Sequence, residues 1–114
     1  MTVNRLQITR ECYGAYESGN REPLERHLAD DFAFFSPADP GIGRAEYFDR
    51  CWPNAALINS YAFVRLIESG DEVIVTYEAR RVDGTSFRNT EVLSFTGEKV
   101  SRAEVYFGWD LPAG

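Results

Sequence analysis

The amino-acid sequence predicts an α+β fold, with three helices packed on a strongly twisted, mostly antiparallel sheet. Three observations carry this. Apolar residues in the first half of the 114-residue chain recur at helical spacing. From Ser60 onward the apolar period changes to two. The later segments meet at tight-turn dipeptides, Gly70-Asp71, Asp83-Gly84 and Gly97-Glu98, and no linker or repeat separates them. Residues 1–114 therefore read as one domain. A twisted sheet with helices over one face leaves a cone-shaped hollow walled by the inward strand positions.

The first helix is expected over residues 3–18, with Val3, Leu6, Tyr13 and Tyr16 on one line and Ile8, Cys12 and Ala15 on the next. Gly19-Asn20 stops it, because glycine takes the left-handed C′ conformation cheaply. A short second helix follows, with Asn20 as N-cap, Pro23 in its first turn and Leu24 and Leu28 as its apolar pair. Phe32, Ala33, Phe34 and Phe35 form a short buried strand. Residues 36–43, dense in Pro, Gly and Asp, read as a loop over the pocket mouth. Residues 44–52 are a third helix carrying Tyr47, Phe48, Cys51 and Trp52, ended by Pro53. The strand over 61–68 slips its apolar phase around Arg65, which predicts a bulge. Residues 72–82 turn Val73, Val75, Tyr77 and Ala79 to one face, and Asp83-Gly84 is the strongest hairpin signal in the chain. Residues 87–95 bring Phe87, Asn89, Glu91, Leu93 and Phe95 together, and residues 99–109 align Ala103, Val105, Phe107 and Trp109.

Composition excludes several classes. Hydrophobic residues at 44% and charged residues at 26% are ordinary globular usage, so a disordered chain is not expected. A net charge of −6 argues against gripping a nucleic-acid backbone. No apolar run is long enough for a membrane helix and no secretory h-region is visible, so a cytoplasmic location is expected. Cys12 and Cys51 stand alone as reduced thiols, and with the single His27 they are too few to hold zinc, so neither metal nor cofactor is expected. Gly41 and Gly43 lack the Lys-Ser/Thr of a phosphate loop. No GxSxG elbow is present, and His27 reads as an edge residue. The aromatic share of 14% serves either a core or an aromatic-lined cavity.

The order of segments resembles the nuclear transport factor 2-like superfamily, and within it the SnoaL-like and ketosteroid-isomerase-like branch. The residues that carry the likeness are Tyr13-Gly-Ala-Tyr-Glu-Ser-Gly-Asn20, Leu28-Ala-Asp-Asp-Phe32, Gly43-Arg-Ala-Glu-Tyr-Phe48, Asn89-Thr-Glu-Val-Leu-Ser-Phe95, Gly97-Glu-Lys-Val100 and Glu104-Val-Tyr-Phe-Gly-Trp109. The resemblance implies a cystatin-like α+β roll, with a strongly curved, mostly antiparallel sheet forming a conical pocket, and a dimer through the outer sheet face. The outer positions mix Ile74, Thr76, Val92 and Tyr106 with Glu78, Arg88, Arg102 and Glu104, a composition suited to a polar-rimmed homodimer interface.

Enolisation at a carbonyl needs a carboxylate to take the proton and donors to hold the oxyanion. Against the family pattern, the position of the base falls on Ser36 and that of the tyrosine donor on Cys12, while Glu91 matches the acidic donor position. Asp39, three residues beyond Ser36, is the second candidate carboxylate, with turn-capping as its structural reading. A carboxyl at Glu91, walled by Phe95, Phe107 and Trp109, would lose solvation and have its pKa raised, unless an arginine, Asn89 or a tyrosine holds it structurally. Tyr13, Tyr16, Phe34, Tyr47, Trp52, Asn89, Phe107 and Trp109 are the candidate ligand contacts, with core packing as the alternative for the helix aromatics. Arg80, Arg81 and Arg88 surround the Asp83-Gly84 turn and read as a solvated hairpin balanced by Glu78 and Asp83, the alternative being an anion grip. The expected partner is a small apolar or aromatic ligand. Three functions follow: a cofactor-free isomerase or cyclase moving a proton through Glu91 and Asp39, a non-catalytic binding or assembly module, and an epoxide-opening hydrolase with an arginine, Arg65 or Arg81, between two carboxylates.

Overall fold

The computed structural model describes residues 4–112. Helix α1 spans Arg5–Ser18. The Asn4 side chain accepts a hydrogen bond from the Gln7 N–H at 3.0 Å, which satisfies one of the orphan donors of the first turn. Gly19, at φ +71°, ends the helix in the left-handed conformation. Thr9, Cys12, Tyr13 and Ala15 are its buried positions, with Leu6, Ile8 and Tyr16 partly buried beside them. Val3, which the sequence places on the same stripe, lies outside the described residues. Helix α2 is Glu22–His27, with Pro23 in its first turn. Asn20 does cap through its side chain, accepting from the Glu22 N–H at 3.2 Å, although the boundary residue is Arg21.

The rest of the chain runs β1 (Leu28–Ser36), β2 (Asp39–Gly43), α3 (Arg44–Arg50), a 3-10 segment (Trp52–Leu57), β3 (Ile58–Ser69), β4 (Glu72–Arg81), β5 (Ser86–Thr96) and β6 (Lys99–Asp110). The six strands form one curved, unclosed sheet in the order β2-β1-β6-β5-β4-β3. Every neighbouring pair is antiparallel except β1 and β6, which run parallel. Helix α1 lies against β3 and β4, and α3 lies against β1 and β2. The two helices thus cover opposite sides of the sheet's inner face and leave space between them.

Three expectations need correction. Residues 36–43 are not a loop: after a turn at 37–38 they pair as β2, with Ser36 opposite Asp39 and Phe35 opposite Pro40. Pro40 has no N–H for a ladder, and β2 tolerates it because it is an edge strand. Gly41 is required there, since at φ +94° an added Cβ would fall 2.7 Å from the Phe35 ring. The preceding strand is longer than expected, and of its Phe32–Phe35 core only Phe32 is fully buried. The third helix stops at Arg50, and Trp52 and Pro53 open the 3-10 segment.

The strands otherwise follow the sequence pattern. The register of β3 on β4 slips between Phe63 and Arg65, so the bulge sits where the phase slip places it. The β4–β5 turn closes over 82–85, and the Asp83 carboxylate accepts from the Thr85 N–H at 2.9 Å and from its hydroxyl at 2.6 Å. At the opposite end of the sheet, Arg5 donates to the carbonyls of Gly97 and Gly70 and stacks over Phe95, tying α1 to two turns at once. On the outer face Arg88 pairs with Glu78. Thr76 also faces outward but is buried, and its hydroxyl is 2.8 Å from that of Thr90.

Candidate functional site

Between the helices and the sheet lies a cavity of about 620 Å³. Strand β6 gives its axis. Along its inward positions Val100, Ala103 and Val105 are buried, whereas Phe107 is 60% exposed, and all four line the cavity. Beyond Phe107 the register slips, so Asp110 and not Trp109 stands opposite Phe87. Trp109 reaches the rim of the cavity, but its ring lies against the Arg88 guanidinium of the outer face, 5.4 Å to the centroid, a correction to the unbroken alternation expected over 99–109. The narrow end is therefore at Val100, Leu93, Leu24 and Leu28, and the mouth is at Phe107 and Trp109 beside the 82–85 turn. Phe95 does not wall Glu91 as the alternation suggests; it packs at the narrow end beneath Arg5.

Glu91 faces this cavity from β5, opposite Val75 on β4 and Val105 on β6. Apolar strands on both sides put its carboxyl deep in the protein, while the cavity keeps part of its surface reachable. The Tyr77 hydroxyl donates to Oε2 at 2.8 Å. Asn89 steadies Tyr77, donating from Nδ2 to the phenol oxygen at 3.3 Å while its own Oδ1 accepts from the Gly108 N–H at 3.1 Å. Gly108 permits this approach, since a Cβ there would lie 2.0 Å from the Arg88 carbonyl oxygen. Tyr13 turns a second hydroxyl toward Glu91 without closing a hydrogen bond of ordinary geometry. Among the described residues no cation pairs with Glu91. Burial pushes its pKa up, and the two phenols pull in the opposite direction.

The phenols of Tyr13, Tyr61 and Tyr77 are themselves pushed up, by burial first and then by the charge of Glu91, so they stay protonated and act as donors. Their rings pack on one another with centroids 5.1 to 5.3 Å apart. Tyr77 is the site residue that sequence reasoning missed. Its signal was present: a hairpin centred on Asp83 pairs Tyr77 with Asn89, one inward step from Glu91.

Across the cavity, Tyr16 and Tyr47 join hydroxyls at 2.6 Å. Tyr47 is fixed by Phe32, Phe34 and Phe48, at ring distances of 5.2, 5.0 and 5.5 Å. Phe34 lines the cavity as expected. Trp52 does not; it stands behind Tyr16, at a ring distance of 5.1 Å, because the 3-10 segment turns it off the helical stripe. Cys12 and Cys51 both border the space, with thiols raised by burial to about 12 and about 11, so both are neutral.

Asp39 also borders the cavity but is already engaged. Its Oδ2 accepts from the Ser36 hydroxyl at 2.8 Å, and Oδ1 is 2.8 Å from Arg50 Nη2, an ion pair without the alignment of a hydrogen bond. His27 lies away from the lining, with Nε2 2.7 Å from Glu11. Of the hairpin arginines, Arg88 is on the outer face with Glu78 and Arg80 is exposed, but Arg81 turns into the cavity mouth, a correction to the solvated-hairpin reading. Arg65 is exposed, paired opposite outward-facing Thr76, and is not part of the site. Among the described residues no three His, Cys, Asp or Glu side chains converge to hold a metal.

Residues 9–103 match the SnoaL-like domain family. No curated protein matches the chain. Among solved structures, a protein from Kribbella flavida superposes with a TM-score of 0.82 at 15% identity, covering 94% of this chain and 88% of that one. An NTF2-like protein of unknown function from Burkholderia pseudomallei superposes at 0.74 with 23% identity, covering 95% and 92%. A protein of ketosteroid isomerase-like fold from Catenulispora acidiphila, in complex with trimethylamine, superposes at 0.70 with 17% identity, covering 90% and 85%. Identities this low speak to the fold alone. The match over residues 9–103, on a curved sheet that holds a cavity beneath its helices, makes this chain a member of the SnoaL-like domain family in the NTF2-like superfamily.

Proposed function

We propose that this chain binds a compact, largely apolar ligand bearing a carbonyl and moves a proton on it, an isomerase- or cyclase-type reaction carried out in the cytoplasm without metal or organic cofactor. The observation that carries this reading is Glu91: a carboxyl bordering the cavity, without a cationic partner among the described residues and held by a phenol. A carboxyl with a raised pKa is suited to exchange protons near neutrality. As Glu91 takes a proton from the carbon beside the carbonyl, its demand for the Tyr77 hydrogen bond falls, and that phenol becomes available to the oxyanion. The Tyr16–Tyr47 pair offers a donor from the far wall, because one hydroxyl proton of the two is not used within the pair. Phe34 and Phe107 supply the apolar surface for the ligand body, with Trp109 at the rim beside Arg88.

The test is deuterium exchange. Compact cyclic ketones and enones are incubated with the protein in D₂O and their α-protons followed by NMR. Exchange should be fast with the parent protein and lost in Glu91→Gln, with the same thermal unfolding cooperativity. Equal exchange in both proteins rejects Glu91 as the proton carrier.

A second reading, a binding module without chemistry, draws support from Asp39, whose commitment to Ser36 and Arg50 takes it out of proton transfer. It requires ligand binding without exchange in the parent protein. Under either reading we propose a homodimer through the outer sheet face. Ile67, Ile74 and Val92 form one cross-strand row there, with Tyr106 exposed nearby and Glu104 at the row's end. Ile67→Glu should then shift the sedimentation of the protein from dimer to monomer.

A further inference from the structure

Arg81 is the one cationic side chain that lines the cavity among the described residues. It continues the inward phase of Val75, Tyr77 and Ala79 to the end of β4. Its guanidinium lies over the Phe87 ring, 4.3 Å from the centroid. Nη1 donates to the Thr85 hydroxyl at 3.1 Å, and among the described residues no carboxylate lies within ion-pair distance. The nearby Asp83 is held by the Thr85 N–H and hydroxyl. Asp110, the other carboxylate at this rim, is exposed. The group is thus half-buried, stacked, oriented from one side, and left with unused donors facing the mouth. A planar guanidinium in that state matches a carboxylate, which takes two parallel N–H bonds.

We propose that Arg81 is a specificity-determining residue, and that the ligand carries a carboxylate at the end opposite the group that meets Glu91. This rests on the reading that the cavity takes a small molecule. The guanidinium sits at the level of Phe87, four residues from Glu91 along β5, which is about 13 Å at ~3.3 Å per residue. Taking a hydrogen-bond length of about 3 Å off each end leaves room for a body of about two fused rings. Phe107 flanks that stretch on β6, opposite Asn89, and offers a face against which such rings can stack. The ligand is therefore bipolar: an oxygen function at depth, a flat apolar body, and an anionic tail at the mouth.

Matched acids and methyl esters built on one, two and three fused aromatic rings test this by calorimetry, with 6-hydroxy-2-naphthoic acid and its methyl ester as the central pair. The parent protein should bind the acid about ten-fold more tightly than the ester. The preference should shrink as salt is added, because the pair sits at a solvent-open mouth. Arg81→Gln should erase the preference. Arg81→Lys, which keeps the charge without the two-pronged geometry, should retain only part of it. Equal affinity for acid and ester in the parent protein, or a preference that survives in Arg81→Gln, overturns the role of Arg81 while leaving the cavity as a ligand site. If no member of any pair binds, the cavity reading fails, and this proposal fails with it.

Discussion

Glu91 and Asp39 are both carboxylates bordering one cavity, and their surroundings set them to different uses. Asp39 sits on an edge strand beside α3, where Ser36 and Arg50 take up its oxygens. Glu91 sits in the interior of the sheet, between strands that offer Val75 and Val105, and its carboxylate accepts from a neutral phenol. The difference lies in what the neighbours can supply. An edge strand next to a helix meets arginines that keep one end in water, and Arg50 is 51% exposed. The middle of a sheet facing a cavity meets only what adjacent strands turn inward, here apolar side chains and tyrosines. A carboxyl in the first setting is a structural brace; in the second it is available for proton transfer.

The largest test of that contrast is Glu91→Gln, which should lower α-proton exchange by about 10²- to 10⁴-fold, the usual contribution of a positioned base. Next comes Tyr77→Phe. It removes the hydrogen bond that favours the charged carboxyl, so Glu91 should titrate at still higher pH and exchange should fall by about ten-fold. Carbon-13 NMR of labelled glutamate reads the titration, and an unmoved Glu91 resonance would separate the two groups.

The third test concerns stability. Burial raises the folded-state pKa of Glu91 above its unfolded value, so the stabilisation it contributes is full below the ordinary carboxylate range and is lost as pH rises through the raised value. Glu91→Gln should therefore melt higher than the parent protein at neutral pH, and the gap should close in acid. A gap that stays constant with pH would mean that Glu91 titrates as an exposed carboxyl. The smallest effect is expected from Asp39→Asn. It keeps the Ser36 contact and loses an ion pair to a half-exposed arginine, costing less than ~1 kcal/mol in chemical denaturation. Exchange should persist in that variant. Its loss there would invert the comparison and make Asp39 the proton carrier.

Much of the site was legible from alternation. Period two alone turned Asn89, Glu91 and Leu93 to one face, and the turn at Asp83-Gly84 set the register that brings Tyr77 beside them. The phase slip at Arg65 marked the bulge for the same reason. Trp52 was misplaced because helical spacing was carried past Arg50 into a 3-10 segment, where the same intervals point elsewhere. Residues 36–43 read as loop because Pro and Gly dominate them, and the strand they form depends on a partner and an edge position that composition does not show. Arg81 read as a solvated charge because its inward phase competed with its place beside a turn.

The sequence by itself determined the alternating faces of β4 and β5, the helix stop at Gly19, and the turn that sets the register of β4 with β5. These are consequences of pleat and turn geometry between residues close along the chain. Only the tertiary structure decided where the cavity opens, that Asp39 meets Arg50 while Glu91 meets Tyr77, and that Trp52 stands behind Tyr16. Those outcomes depend on how far α1 and α3 sit apart over the sheet, a packing property of distant segments that no local period records.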